Sequence, residues 1–254
     1  MTAPYYADDQ VALYLGDCRE VLPALGLTAD LVLTDPPYGD TALAWDRWPV
    51  GWVAAVTPLA RSMWCFGSMR MWLTRAGELE AAGWQMSHDV VWEKHNGSGF
   101  AADRFRRVHE HALHWYRGPW REVHREVPRL PAQYSAKGRT VSQRQSRTPH
   151  AGEIGAATYI DDGLRLARSV LPARSMHRAA IHPTEKPVTG LLEHLIAYGC
   201  PVGGTVLDVF AGSGSTLDAA RQSGRRAIGI EADERYAEAA ARRLSAAPLP
   251  LDAA

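Results

Sequence analysis

Four consecutive residues, Asp35-Pro36-Pro37-Tyr38, place a carboxylate, a rigid turn and an aromatic ring within one short stretch. They follow the apolar run Leu31-Val32-Leu33, which reads as a parallel strand buried on both faces. Two prolines stop further sheet or helix, so the carboxylate stands at the strand's carboxyl end, where ligands bind in open α/β sheets. An exocyclic amine on a flat base is a poor nucleophile, because its lone pair is drawn into the ring. The Asp35 carboxylate and the Pro36 carbonyl can each accept one N–H from such an amine. Holding both bonds favours a pyramidal nitrogen whose lone pair points at an electrophile. Tyr38 can stack on the base face, a contact worth about 1–3 kcal/mol. The blander reading of these residues is a surface turn with an incidental tyrosine.

A second group lies near the C-terminus. Thr205 to Phe210 reads as a strand, Phe210-Ala-Gly-Ser-Gly-Ser-Thr216 as a loop, Thr216 to Ser223 as a helix and Arg226 to Glu231 as a strand. Small residues let the backbone approach a ligand, and the helix start offers free N–H groups. Glu231, at the end of the next strand, can accept hydrogen bonds from both hydroxyls of a ribose. The third glycine of a dinucleotide fingerprint would fall at Leu217, which disfavours a pyrophosphate. A Gly-x-Gly turn alone is a weak signal. With strand, helix and Glu231 in register it becomes a nucleotide-binding half-fold.

Other elements must position these two groups. Val11 to Asp17 and Asp30 to Asp35 read as strand-bearing runs joined by a helix from Arg19 to Leu25. Helices at Trp52–Leu59 and Met69–Ala82 bracket a strand at Met63–Phe66, and strands follow at Asp89–Trp92 and His111–Tyr116. From 118 to 180 the periodicity fades, with five prolines and many Arg, Gln and Ser. That is too long for an ordinary connection and reads as an inserted region between catalytic segments 1–117 and 181–254. A helix at Pro187–Tyr198 and a terminal helix at Arg235–Leu244 complete the pattern. Such alternation predicts a doubly wound, mostly parallel α/β sheet with helices on both faces.

Composition narrows the class. The chain has 254 residues, 46% hydrophobic and 22% charged, which excludes wholesale disorder, collagen and coiled coil. No apolar run reaches the roughly 20 residues of a membrane helix, and the N-terminus lacks a secretory pattern. Cys18, Cys65 and Cys200 lie too far apart for a disulfide framework or zinc knuckle, so a reduced cytoplasm is the expected address. His109, His111 and His114 on one strand would point to two faces, which argues against a metal site. The net charge is zero, yet Arg104 to Arg178 carries 15 Lys+Arg against 6 Asp+Glu. A basic, partly aromatic middle is a candidate for nucleic-acid contact, against the plainer reading of a solvated surface.

Asp35-Pro-Pro-Tyr38, Phe210-Ala-Gly-Ser-Gly214 and His182-Pro-Thr-Glu-Lys-Pro187 together resemble the S-adenosylmethionine-dependent DNA amino-methyltransferases. Their order is that of the β class: catalytic motif first, target-recognition region between, cofactor loop near the C-terminus. The resemblance implies a Rossmann-like methyltransferase sheet, S-adenosylmethionine as cofactor and double-stranded DNA as partner. It is compatible with a homodimer; the residues name no restriction partner. By the same resemblance Asp17 contacts the cofactor adenine, and Asp208, Phe210, Gly212 and Gly214 line the cofactor. Glu231 holds its ribose, while Thr184 and Lys186 close over its methionine end. Val91–Lys94 and Arg107–Glu110 resemble, more loosely, strand ends that shape the target-base pocket. An aspartate at 35 favours adenine N6 over cytosine N4, since cytosine enzymes of this kind more often carry serine there. Trp45-Asp46 also looks family-like, without an evident role.

The leading expectation is therefore a site-specific adenine-N6 DNA methyltransferase, catalytic through Asp35, Pro36, Pro37 and Tyr38. Arg121, Arg125, Arg129, Lys137, Arg139, Arg144 and Arg147 are the candidate DNA contacts, most of them to phosphate. Alternatives are a cytosine-N4 enzyme, an RNA or protein-glutamine amino-methyltransferase, and a DNA-binding module that has lost the chemistry.

Overall fold

The continuous apolar run at Leu31–Thr34 becomes a strand buried at all four positions, and it lies at the middle of a nine-stranded sheet. The computed structural model describes residues 3–98, 102–132, 137–143, 145–148, 152–175 and 185–246. They form two compact units, Met1–Glu126 with Ser169–Ala254, and Val127–Arg168. The second unit lies inside the expected insertion 118–180; the turn at Trp120–Glu122 and the strand at Val170–Pro172 belong to the first.

In the first unit the strands are β1 (Tyr6–Ala7), β2 (Val11–Leu15), β3 (Leu31–Thr34), β4 (Ser62–Gly67), β5 (Gln85–Ser98) and β6 (Arg107–Tyr116). After β7 to β12 of the second unit come β13 (Val170–Pro172), β14 (Thr205–Asp208) and β15 (Arg226–Glu231). The sheet order is β1-β2-β15-β14-β3-β4-β6-β5-β13. The five neighbouring strands from β2 to β4 are parallel, whereas β6 runs antiparallel to both β4 and β5. The expected doubly wound, mostly parallel α/β sheet is present, with an antiparallel hairpin towards one edge.

Alternation of side chains sends each strand's residues into two separate cores. Leu31, Leu33, Trp64 and Phe66 pack with α4 (Glu193–Gly199), α5 (Ser215–Gln222) and α6 (Glu234–Ser245). Val32, Met63 and Cys65 face the other way, onto α1 (Cys18–Leu25), α2 (Trp52–Val56) and α3 (Met69–Ala81). Ser68 caps α3 by accepting from the Met71 N–H at 3.0 Å, as expected of a serine just before a helix.

Several sequence expectations need correction. β5 and β6 are much longer than the runs Asp89–Trp92 and His111–Tyr116, because hairpin pairing extends them through polar residues that carry no apolar alternation. The helix expected from Pro187 to Tyr198 begins only after a break. Thr189 is extended and Gly190 sits at φ +79°, so a π-type turn precedes α4. The helix read as Trp52–Leu59 stops at Val56.

The second unit is built from three short antiparallel ladders nested one inside another. β7 (Arg129–Pro131) pairs β12 (Leu164–Leu166), β8 (Thr140–Gln143) pairs β11 (Ala157–Ile160), and β9 (Ser146–Thr148) pairs β10 (Gly152–Ile154). β11 is exposed at every position. The polar anchor is Asp161, buried to 2%, which accepts from Gly163 N–H and pairs with Arg165.

Candidate active site

Parallel strands deliver their carboxyl ends to one edge of the sheet, and β2, β3, β14 and β15 converge there on a cavity of about 450 Å³. Gly16, Asp35, Phe210 and Glu231, each just beyond or at a strand end, line it. The volume suits a small-molecule site.

β14 and the glycine loop form one wall. Buried Asp208 accepts hydrogen bonds from Thr34 Oγ1 at 2.9 Å and the Phe210 N–H at 3.1 Å, which ties β14 to β3. Burial pushes its carboxyl up to about 6 despite those bonds. The chain then turns through Gly212 and Gly214, at φ +51° and +80°. A Cβ at Gly214 would lie 2.9 Å from that of Ala240 on α6, so both backbone angle and space require glycine here. Glu231 is fixed from both sides: the Gly212 N–H donates to Oε2 at 2.7 Å and the Asp233 N–H to Oε1 at 2.8 Å. Burial outweighs these bonds and leaves its carboxyl raised.

Asp35 and Tyr38 form the facing wall. The Tyr38 hydroxyl donates to Asp35 Oδ1 at 2.5 Å. Burial and the neighbouring Asp35 carboxylate push the phenol well above its usual range, so it remains a donor. Lys186 bonds Asp35 Oδ2 directly and lies 3.4 Å from Glu110 Oε2, while Lys94 bonds the other Glu110 oxygen. A chain Tyr38–Asp35–Lys186–Glu110–Lys94 thus runs across the cavity wall. Burial opposes charge on both Lys186 and Glu110. Mutual attraction prevails: the ammonium is raised by Asp35 and Glu110, and the Glu110 carboxyl is held low by Lys186 and Lys94. The family resemblance matches Lys186 to the cofactor's methionine end; in this structure it pairs with Asp35 and Glu110.

Two groups acquire roles that the sequence pattern did not reveal. Asp46 is buried to 3% and accepts from the Gly39 and Thr41 N–H groups, each at 2.7 Å. It clamps the loop that follows Tyr38, which gives the Trp45-Asp46 pair a function; Trp45 lines the cavity. Glu185 accepts from Ser213 Oγ at 3.0 Å and pairs with Arg243 on α6, fastening the 185–187 segment to the glycine loop. The spacing of acidic residues before a glycine loop offers no such signal.

The remaining predicted residues fall as follows. Pro36 and Pro37 line the cavity between Asp35 and Tyr38. Asp17 also lines it, caps α1 through the Arg19 N–H at 2.9 Å and pairs with the Arg19 side chain. Arg121, Lys137, Arg139 and Arg147 are exposed. Arg125 lies over the Trp120 ring at 4.8 Å and donates to two backbone carbonyls, and Arg129 is engaged by Asp162 at 2.7 Å. Thr184 and Arg144 lie outside the described residues. His109 and His111 share one face of β6 with rings 5.3 Å apart, while His114 is buried on the other between Ser62 and Ser87.

Fold and site together place a small-molecule cavity, lined by carboxylates and a glycine loop, at the carboxyl edge of a parallel α/β sheet. The DNA methylase family matches residues 29–242, and the chain belongs to that family of N6-adenine and N4-cytosine amino-methyltransferases, for which S-adenosylmethionine is the methyl donor. The Type II methyltransferase M2.DpnII of Streptococcus pneumoniae is 23% identical over 97% of this chain and 94% of that protein. Among solved structures, M1.HpyAVI in complex with SAM superposes with a TM-score of 0.66 at 23% identity, covering 92% of this chain and 99% of that one. The cytosine-N4-specific PvuII DNA methyltransferase gives 0.64 at 15% identity, covering 99% and 92%. No helix among the described residues is long and apolar enough to cross a membrane.

Proposed function

We propose that this protein is an adenine-N6 methyltransferase acting at a specific site in double-stranded DNA. The observation that carries the choice of base is the carboxylate at Asp35, held at the cavity by Tyr38 and Lys186. The overall fold does not decide, since a cytosine-N4-specific enzyme has a similar one.

The residues present fit S-adenosylmethionine. Glu231, anchored through both oxygens, offers acceptors to a ribose diol; Gly212 and Gly214 keep the loop low, and Phe210 provides an apolar surface. Asp17 and Thr184 are assigned to the adenine and methionine ends. When bound, the cofactor supplies an electrophilic methyl group on a sulfonium. Asp35 and the Pro36 carbonyl accept the two N–H bonds of the target amine and orient its lone pair. Tyr38 orders Asp35 through its hydroxyl and offers its ring to the base. As the nitrogen gains positive charge, the Asp35 carboxylate stabilises that charge more than it stabilises the ground state, which is how such a contact raises turnover. The proton leaves the methylated amine for water. The target base must leave the duplex stack to reach this edge.

DNA contact is assigned to the inserted region. Val127–Arg168 carries seven Lys+Arg against three Asp+Glu, on ladders with few buried residues. Arg121, Lys137, Arg139, Arg144 and Arg147 act chiefly on phosphates. Arg125 and Arg129 reach DNA only by leaving their present partners. Incubation with S-adenosylmethionine labelled in its methyl group and unmethylated duplex DNA, followed by nucleoside analysis, tests the proposal. Label in N6-methyl-2′-deoxyadenosine supports it; label in N4-methyl-2′-deoxycytidine transfers the assignment to the sister chemistry.

A further inference from the structure

We propose that Phe105, at the turn between β5 and β6, is an apolar wedge that enters the DNA duplex beside the target base; this rests on the reading of the protein as a DNA methyltransferase. Phe105 is 101% exposed, the most exposed of the large hydrophobic residues described. A single exposed apolar side chain is common on protein surfaces. Its setting is what matters.

It is flanked by Arg104, Arg106 and Arg107, all exposed. Arg104 is paired with its neighbour Asp103, whereas among the described residues Arg106 and Arg107 form no ion pair. An aromatic ring set among arginines is unsuited to an apolar protein partner and suited to a polyanion with stacked bases, where cations meet phosphates and the ring meets base faces.

Its place in the fold agrees. β6 runs antiparallel to β4, with His111 opposite Gly67 at the carboxyl end of β4. Residues before His111 therefore extend past the same sheet edge that carries Asp35. Arg107 and Glu110 line the cavity itself. Phe105 is thus two residues from a cavity-lining arginine. Apolar wedges that part base steps are a recurring device of proteins that distort DNA. Here the ring takes the space left by the base and holds the duplex open while Asp35 engages the amine.

The test uses two duplexes carrying the enzyme's own methylation site, first mapped by sequencing DNA that the wild type has methylated. One has the target adenine correctly paired, the other mispaired. Phe105→Ala should lose about tenfold or more in kcat/KM on the paired duplex, and recover to within about threefold of wild type on the mispaired one, because a mispaired base costs less to extrude. Phe105→Trp should restore activity on the paired duplex. Equal activity of Phe105→Ala and wild type on paired DNA overturns the inference, as does an equal loss on both duplexes, which marks a general binding role. A wild type that methylates no DNA overturns the functional reading beneath it, and that outcome is distinct from the other two.

Discussion

Replacing Lys186 by methionine keeps the length of the side chain and removes the one ammonium that touches both Asp35 and Glu110. The side chains of Lys186, Asp35 and Glu110 are only 6%, 21% and 11% exposed, so water compensates little. Glu110 keeps Lys94, and Asp35 keeps the Tyr38 hydroxyl. Breaking a buried pair from one side costs about 3–5 kcal/mol, and the lower end applies here because each carboxylate retains one partner. The cost should depend on pH in a definite direction. Without Lys186 the Glu110 carboxyl loses the strongest attraction holding it low, and its burial acts to raise it. A raised carboxyl contributes stability below the unfolded pKa, and that contribution is lost as pH rises through the folded one. Lys186→Met should therefore be destabilised by about 3 kcal/mol at pH 8 and by clearly less at pH 5, with the gap following protonation. Denaturant unfolding of both proteins across this range measures it. A difference that is absent, or that does not vary with pH, refutes the picture of a lysine neutralising two buried carboxylates.

Other outcomes follow from single contacts. Glu231→Ala should weaken S-adenosylmethionine binding by about 1.5–3 kcal/mol through loss of charge-assisted bonds, with DNA affinity nearly unchanged, as read by calorimetry and by DNA binding. Asp46→Ala leaves the Gly39 and Thr41 N–H groups without their acceptor. It should lower stability by about 1–3 kcal/mol and lower kcat more than it alters cofactor affinity, while Asp46→Asn, keeping one acceptor, falls between. Burial holds the His114 imidazole down, at about 3, far below its unfolded value. A lowered histidine contributes stability that is present above the unfolded pKa and lost as pH falls. The protein should thus lose up to about 1.4 kcal/mol per pH unit from this group below about pH 6.5, and His114→Gln should remove that slope in acid unfolding experiments.

Much of this was legible in the residues because strand ends in a parallel sheet are local signals. The buried run Leu31–Leu33 followed by Asp-Pro-Pro, and Gly-Ser-Gly between a strand and a helix, declare both element and site at once. The hairpin of β5 and β6 is far longer than its apolar runs indicate, because its outer residues are largely polar and leave no periodicity to read. The second unit escaped assignment for the same reason, its ladders being three or four residues long and largely exposed. Gly190 broke an expected helix whose apolar spacing continued through it. The Lys186–Asp35 bond joins residues 151 positions apart, and no local pattern could announce it. Asp46 needed the loop's backbone geometry before its role was visible.

The central claim is that Asp35 acts on the target amine during methyl transfer. The direct measurement is a single-turnover assay of Asp35→Ala at saturating DNA and S-adenosylmethionine, with binding of each measured separately. Loss of methyl transfer by several orders of magnitude with both affinities nearly intact is the predicted result, since the contact strengthens in the transition state. Methyl transfer by Asp35→Ala at close to the wild-type rate would contradict the account and leave the Asp-Pro-Pro-Tyr turn a structural feature only.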